Sequence, residues 1–319
     1  MSLSGFQTYG IERVSPTMIS NWDAAPATLV LRRVFGVKGQ ANANMWRGDA
    51  VEAGLEALAR GRDLSLAQSI ADEAFLVRAE GVLDEEADAA RLLIPGMVEQ
   101  CAEFLKEQQY GEILGSQISV EKSFQAIGVP IFGKMDFAFL NGRNIELKTT
   151  TRIPAKIENA STSHKWQAAF YADARQQPVD LLYVSAKKFA VFTVEPDSQF
   201  LTGLFNTARA MERMLGSHDE GLDLLKSLPT TVDSFYWDDD LVTAYQSALD
   251  EKLPPLKGTG TEALLEKGII TFGKHAGRHI SDVPDKYLDW LLNPTLSSGE
   301  TFDVPEQLQN AIRQHREAA

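Results

Sequence analysis

Two carboxylates and a lysine stand close together in the segment 131–149. Asp136 lies in the first of two apolar runs, and Glu146 and Lys148 lie in the second, two residues apart. Side chains alternate along a strand, so Glu146 and Lys148 share one face. Carboxylate oxygens are ligands that Mg²⁺ prefers, and a lysine beside them can orient or deprotonate a water molecule or offset negative charge. These residue types suit hydrolysis of a phosphodiester bond.

A β-hairpin is needed to bring the three side chains together. The apolar runs 131–140 and 145–149 are joined by Asn141-Gly142-Arg143. Asn-Gly is a strong hairpin signal because both residues tolerate positive φ. We therefore expect Asp136 to reach the same point as Glu146 from the neighbouring strand. A Glu-x-Lys pair alone is more often a surface pair of an exposed hairpin, so the interpretation depends on the surrounding sequence.

Upstream of the hairpin, Glu52 can supply a third carboxylate. It lies with Gly48 in a predicted helix over residues 45–60. A long acidic helical insert separates Glu52 from Asp136, and Glu52 can also be an ordinary surface residue of its helix. The acidic residues that compete with it for the same role are Glu56, Glu99, Glu103 and Glu121.

Downstream of the hairpin, Gln167 and Tyr171 lie four residues apart in a predicted helix over residues 160–176. That spacing makes them neighbours on one helical face. Strands are predicted before the hairpin, at 118–121, and after the helix, at 180–186, where a further apolar run follows. The order helix, strand, strand, strand, helix, strand predicts an α/β fold with a mixed (α+β) sheet.

This ordered set of motifs resembles the PD-(D/E)XK nuclease superfamily, specifically its RecB-like and lambda-exonuclease-like branch. The matching motifs lie within roughly residues 15–195 and are Gly48/Glu52, Gly133/Asp136, Glu146/Lys148 and Gln167/Tyr171. No single motif is specific, and the identification depends on the four occurring in order. The resemblance implies a restriction-endonuclease-like core with a helical N-terminal insert and a small C-terminal domain.

The resemblance also implies roles for individual residues. The metal ligands, for Mg²⁺ or Mn²⁺, would be Glu52, Asp136, Glu146 and the backbone carbonyl of Leu147. Lys148 would activate the attacking water, and Gln167 and Tyr171 would position the site or the DNA strand. RecB-like sequences more often have His where Glu52 stands, while the viral exonucleases have Glu.

The charge is distributed unevenly. The net charge of −13 at pH 7 argues mildly against a protein that coats DNA, which is normally basic. The flank of the predicted site is basic instead, and its predicted DNA-binding residues are Arg152, Lys156 and Lys165, with His164 among them. If these side chains converge, they form a basic funnel that steers DNA towards the site.

Composition bounds the protein class. A chain of 319 residues with ordinary apolar and charged fractions can bury a substantial core. It contains no apolar run long enough for a membrane span and no secretory signal. The one cysteine, Cys101, lies among apolar residues and is predicted to be a packed helix residue. It excludes an intramolecular disulfide and a four-thiolate iron–sulfur cluster. We expect a cytoplasmic protein of a bacterial host cell, with no membrane partner.

Pro and Gly residues at 251–260 predict a domain boundary. We predict a nuclease domain at 1–252, a linker at 253–262 and a small C-terminal module at 263–319. The module carries a Phe-Gly-Lys-x-x-Gly turn beginning at Phe272, whose basic residues can contact a phosphate backbone. The alternative is a turn flanked by a small core of Tyr287, Leu288, Trp290 and Leu291.

Together these observations predict a metal-dependent DNA exonuclease of phage or prophage type that serves recombination or DNA degradation. Its predicted partners are DNA, a single-strand annealing protein and further copies of the chain. Two alternatives stay open: a structure- or site-specific endonuclease of the same superfamily, and a non-catalytic protein that binds DNA ends or a partner. The intact set of Asp136, Glu146 and Lys148 argues against the last.

Overall fold

The first part of the chain is helical. The structure, a computed structural model, describes residues 4–39, 41–79, 82, 84–234, 236–253, 255–256, 261–294 and 304–317. The helices that precede the sheet are α1 (Gly5–Thr8), α2 (Pro16–Ala24), α3 (Pro26–Arg33), α4 (Ala43–Ala59), α5 (Leu64–Ala79), α6 (Glu85–Arg91) and α7 (Ile94–Gln108). Capping side chains fix where several of these helices begin. The side chain of Asn42, for example, accepts hydrogen bonds from backbone N–H groups in the first turn of α4.

A five-stranded sheet follows these helices. Its strands are β1 (Ile113–Lys122), β2 (Ile131–Phe139), β3 (Asn144–Thr149), β4 (Val179–Val184) and β5 (Phe189–Val194), which lie side by side in sequence order. β3 and β4 are parallel and are joined by the crossover helix α8 (Thr162–Arg175), whereas the other neighbours are antiparallel. This mixed sheet with its N-terminal helical region confirms the predicted α/β fold class.

Helices cover both faces of the sheet. On one face, α2 and α8 pack against the sheet and α9 (Phe200–Leu215) packs against them, in a core that includes Leu181. On the other face, α4 and α7 pack against the sheet and α5 packs against them, in a core that includes Leu182. β4 is therefore buried along its whole length, as expected for a strand covered on both sides. Cys101 is fully buried in α7, which confirms that it is a packed helix residue.

The hairpin was well predicted. β2 and β3 each begin and end within one residue of the expected bounds, and Gly142 in the turn has φ 83°, the left-handed conformation that favours glycine. α4 and α8 differ from the predicted helices by one or two residues at each end. β1 is longer than the predicted strand and starts at Ile113.

The α-helices of the described residues beyond α9 are α10 (Gly221–Ser227), α11 (Asp239–Leu249), α12 (Thr261–Glu266), α13 (Asp285–Leu292) and α14 (Glu306–Glu317). Leu288 and Leu291 are buried in a third apolar cluster, with Tyr287 and Trp290 packed against it, as the small-core alternative predicted. The amino group of Lys38 donates to the carbonyl of Lys274 at 2.8 Å. Part of the predicted linker lies outside the described residues, so the domain boundaries stay a prediction. No described helix is long and apolar enough to cross a membrane.

Candidate active site

β2 and β3 separate soon after the turn that joins them. Their ladder consists of Phe137 with Ile145 and Ala138 with Asn144. Beyond these pairs, Oδ2 of Asp136 accepts the backbone N–H of Leu147 at 2.8 Å. The carboxylate thus binds the Leu147 N–H, which the next hydrogen-bonded pair of the ladder would have used, and the two strands diverge on either side of it. We call this opening the β2–β3 fork.

Glu146 and Lys148 lie in the fork, on one face of β3. Nζ of Lys148 donates to Oε1 of Glu146 at 2.6 Å, and the two side chains are 18% and 1% exposed. Asp136 is half-buried beside them. The structure therefore brings the three chemically active residue types of the hairpin to one place, as the alternation of side chains requires.

Glu52 reaches this place from α4. The side-chain amide of Gln117, on β1, donates to Oε1 of Glu52 and to Oδ1 of Asp136, the latter at 3.3 Å. Gln117 is missing from the sequence analysis because the strand predicted there begins one residue later. Its position could have been found from register, since it lies opposite Asp136 on the strand paired with β2.

The acidic residues that compete with Glu52 lie elsewhere. Glu56 accepts hydrogen bonds from Arg60 within the same helix, at 2.7 and 2.9 Å. Glu103 accepts from Gln100 at 3.0 Å on the surface of α7. Glu99 and Glu121 are exposed, and Glu121 stands opposite Phe132 on the far part of β1. Contact through Gln117 with Asp136 distinguishes Glu52 from all four.

Gln167 and Tyr171 pack over the first part of β2. Nε2 of Gln167 lies 3.4 Å from the hydroxyl of Tyr171, and that hydroxyl donates to the carbonyl of Lys134 at 2.8 Å. A Cβ added to Gly133 would come within 2.5 Å of the same hydroxyl. Gly133 therefore makes room for Tyr171, and Tyr171 holds the backbone that carries Asp136.

Burial and crowding raise the pKa of each carboxyl group in the site. Burial, together with the charge of Asp136, raises the pKa of Glu146 to about 8 despite the opposing effect of Lys148. The same two causes raise the pKa of Glu52 to about 7, and burial raises that of Asp136. For Lys148, burial lowers the pKa, but Glu146 and Asp136 outweigh it and the net shift is upward. The charged form of each carboxyl group is thus disfavoured where water cannot fully solvate it.

The donor atoms suit a hard divalent cation. Oε2 of Glu146 is buried and has no hydrogen-bond partner among the described residues. Even so, the described part of the chain contains no group of three or more His, Cys, Asp or Glu side chains arranged to hold a metal ion. Lys148 occupies one oxygen of Glu146, and the amide of Gln117 lies between Glu52 and Asp136. The ligand chemistry is present, and donors of the protein itself occupy part of it.

A cavity of about 520 Å³ adjoins the fork. It is lined by Arg152, His164 and Tyr183 among others, and Tyr183 is the register partner of Lys148 on β4. Nδ1 of His164 lies 2.7 Å from the Tyr183 hydroxyl. Burial and the charge of Lys148 lower the pKa of His164 to about 3. His164 is therefore neutral at pH 7 and adds no positive charge to the flank.

The predicted DNA-binding residues do not all converge. Arg152 is exposed at the cavity, and Lys156 is exposed on the same loop. Nζ of Lys165 instead donates to the carbonyl of Glu158 at 3.0 Å and lies 5.5 Å from the centroid of the Phe200 ring. The structure places Arg152 at the cavity and ties Lys165 to the Glu158 carbonyl and the Phe200 ring.

Comparison with known proteins yields structural likeness alone. No protein-family model matches the chain, and no curated protein matches it. It is similar to a protein of Eubacterium rectale named "Putative exonuclease", with 10% identity and a TM-score of 0.44 over 82% of this chain and 91% of that one. It is also similar to SSO0001, with 16% identity and a TM-score of 0.28 over 59% of this chain and 85% of the other. Likenesses this distant do not bear on the reaction.

Proposed function

We propose that this protein is a divalent-metal-dependent DNA exonuclease of the PD-(D/E)XK type, RecB-like or lambda-exonuclease-like. The observation that carries the proposal is the β2–β3 fork, which gathers Asp136, Glu146 and Lys148 around one point. Glu146 is fully buried and one of its oxygens has no partner within the described chain. A buried, incompletely paired carboxylate costs stability, and such groups concentrate at functional sites.

The residues of the fork would divide the work. Asp136, Glu146 and the carbonyl of Leu147 would hold Mg²⁺ or Mn²⁺, with Glu52 as a further ligand. When bound, the cation would supply charge for the scissile phosphate and for the leaving oxygen. Lys148, two residues from Glu146 on the same face, would orient the attacking water and offset negative charge.

Tyr171 would act on geometry. Its hydroxyl holds the carbonyl of Lys134, and Gln167 contacts that hydroxyl, so the pair would fix β2 and with it the carboxylate of Asp136. A displacement of about 1 Å in a reacting group can cost about a hundredfold in rate.

The cavity beside Lys148 supports action at a DNA end. Its volume, about 520 Å³, lies within the range of pockets that bind small ligands. One terminal nucleotide would enter it past Arg152, which would contact the phosphate backbone together with Lys156, while Lys165, held by the Glu158 carbonyl, would contact the backbone further along. An annealing partner protein and assembly with further copies stay predictions.

Digestion of end-labelled linear duplex beside covalently closed circles tests the proposal. Wild type and Lys148→Ala are each incubated with Mg²⁺, Mn²⁺ or EDTA. We expect that only linear DNA is shortened, that only wild type shortens it, and that this requires Mg²⁺ or Mn²⁺.

Each departure has a definite meaning. Cutting of closed circles would show that the protein is an endonuclease and not an exonuclease. Tight DNA binding in Mg²⁺ without any cleavage would replace the enzyme with a binding protein. Cleavage by Lys148→Ala at the wild-type rate would remove Lys148 from the site.

A further inference from the structure

Gln117 has an unusual backbone conformation for its position. Its φ is 49°, in the left-handed region that non-glycine residues rarely adopt. Gln109 and Gln176 also have positive φ, but they end α7 and α8, where that conformation is common. Gln117 lies within β1. Local strain of this kind is retained where the surrounding structure requires it and clusters at functional sites.

The strain coincides with the β2–β3 fork. β1 and β2 keep one register across Gln117, with Ser116 opposite Phe137 and Ile118 opposite Met135, and the register shifts only further along, between Ile113 and Gly115. Gln117 falls opposite Asp136, and that pair is absent from the ladder. Residues that face each other in this way have side chains on the same side of the sheet, about 5 Å apart. The altered backbone therefore acts on the side chain that faces Asp136.

The amide of Gln117 joins two carboxylates. Its nitrogen donates to Oε1 of Glu52 and lies 3.3 Å from Oδ1 of Asp136. Glu52 and Asp136 repel each other, which is one cause of the raised pKa of Glu52. A donor between two repelling carboxylates does what a cation would do there, although with partial charge alone.

We propose that Gln117 is a positioning residue that takes the place of a divalent cation between Glu52 and Asp136, and that the cation displaces its amide on binding. This inference rests on the proposed function, because it assumes that these carboxylates bind metal. It also accounts for the absence of a ready-made metal cluster among the described side chains. The left-handed backbone holds the amide in place and leaves β1 with strain that the bound state can release.

Binding of Mn²⁺ tests the inference without reference to activity. Free aqueous Mn²⁺ is counted by electron paramagnetic resonance as it is titrated into wild type, Gln117→Gly and Gln117→Ala. Both substitutions remove the competing hydrogen bonds to charged groups, so we expect Mn²⁺ to bind about tenfold more tightly. Gln117→Ala removes the amide but keeps the strain of the left-handed backbone, whereas Gln117→Gly removes both. Comparing the two variants therefore separates the effect of the amide from the effect of the backbone strain.

Gln109→Gly is the matched control. It relieves the same backbone conformation at an exposed helix end remote from the fork, and its Mn²⁺ affinity is expected to equal that of wild type. Unchanged or weaker Mn²⁺ binding by both Gln117 variants would overturn the inference, as would a gain of the same size in Gln109→Gly.

Parallel digestion of linear DNA separates this inference from the proposed function. Cleavage by wild type without any change in affinity at position 117 overturns the role of Gln117 and keeps the nuclease. Tighter Mn²⁺ binding by the variants without cleavage by any protein keeps the role of Gln117 and overturns the nuclease. Absence of Mn²⁺ binding in wild type and variants overturns both.

Discussion

A buried carboxyl group lies near each end of the β2–β3 hairpin, and the two groups differ in how completely their oxygens are paired. Near the turn, Asp180 on β4 is 5% exposed, and both of its oxygens are paired. Arg143 donates to Oδ2 at 2.8 Å, the hydroxyl of Tyr110 donates to the same oxygen, and Thr193 donates to Oδ1 at 2.6 Å. At the fork, Glu146 is fully buried; among the described residues its Oε1 accepts from Lys148 and its Oε2 has no hydrogen-bond partner.

Under the proposed function, the difference separates a structural carboxyl group, Asp180, from a metal-binding one, Glu146. The guanidinium of Arg143 also lies 3.9 Å from the centroid of the Tyr110 ring and donates to the carbonyl of Gln108, so the network around Asp180 is complete within the protein. A complete buried network adds rigidity, whereas an incomplete one costs free energy unless something else completes it. Under the proposed function, a bound cation would complete at the fork the pairing that side chains of the protein complete around Asp180.

The largest expected effect is on catalysis. Asp136→Ala removes a ligand and the group that takes the Leu147 N–H, and we expect a loss of cleavage of at least about 10³-fold. The fold is expected to persist, because Asp136 belongs to none of the apolar clusters of the described residues. Rates on labelled linear DNA and circular dichroism measure the two quantities. Glu121→Gln, an exposed acidic position, is the control, and an equal loss there would break the comparison.

The next effect is on stability at the turn end. Asp180→Ala leaves Arg143 and the buried hydroxyl of Tyr110 without their shared acceptor. Breaking a buried pair by removing one partner costs about 3–5 kcal/mol, and the partial exposure of Arg143 places this one near about 3 kcal/mol. Urea unfolding in EDTA provides the measurement. A cost below about 1 kcal/mol would show that the network is not the stabilising element we describe.

A somewhat smaller effect is expected when a cation completes the fork. Mn²⁺ at about a hundred times its dissociation constant is expected to stabilise wild type by about 2.7 kcal/mol. Asp136→Asn is expected to lose most of this gain, while Asp180→Asn, though less stable, is expected to keep it. Thermal unfolding with Mn²⁺ and with EDTA measures the shift. Equal shifts in all three proteins would place the cation outside the fork.

The smallest effect has the opposite sign at the two ends. Glu146→Gln keeps the shape of a crowded buried carboxyl group whose charged form burial disfavours. Above the pKa of about 8 that burial gives Glu146, we expect the metal-free variant to gain about 1 kcal/mol of stability, as substitutions in strained functional sites often do. Asp180→Asn is expected to lose stability. Urea unfolding of both variants in EDTA decides this, and a loss in Glu146→Gln would mean that its pairing with Lys148 outweighs the crowding.

Local sequence signals predicted the hairpin and much of the fork. The Asn-Gly turn set the positions of β2 and β3, and strand alternation placed Glu146 and Lys148 on one face. Helical spacing predicted that Gln167 and Tyr171 are neighbours, as their 3.4 Å contact shows. These signals need only residues a few positions apart, which is why they could be read without a structure.

The remaining features depend on contacts between distant segments. Nothing local indicates a left-handed conformation at Gln117, because glutamine has no preference for it. The neutral state of His164 depends on burial beside Tyr183, and the separation of Lys165 from the cavity depends on Phe200. Five acidic residues upstream of the hairpin were candidates for the third carboxylate. Only the position of α4 beside the sheet shows that Glu52 is the one near Asp136.

The close approach of Tyr171 to Gly133 has a consequence for the evolution of the chain. Any side chain at position 133 would enter the space of the Tyr171 hydroxyl, so positions 133 and 171 constrain each other sterically. They do so although they are far apart in sequence: the hydroxyl is 37 residues from its acceptor, Lys134, the neighbour of Gly133. We expect their sizes to change together among homologous sequences, so that a larger residue at 133 is accompanied by a smaller one at 171. Two motifs that read as separate along the chain would then be inherited as a pair.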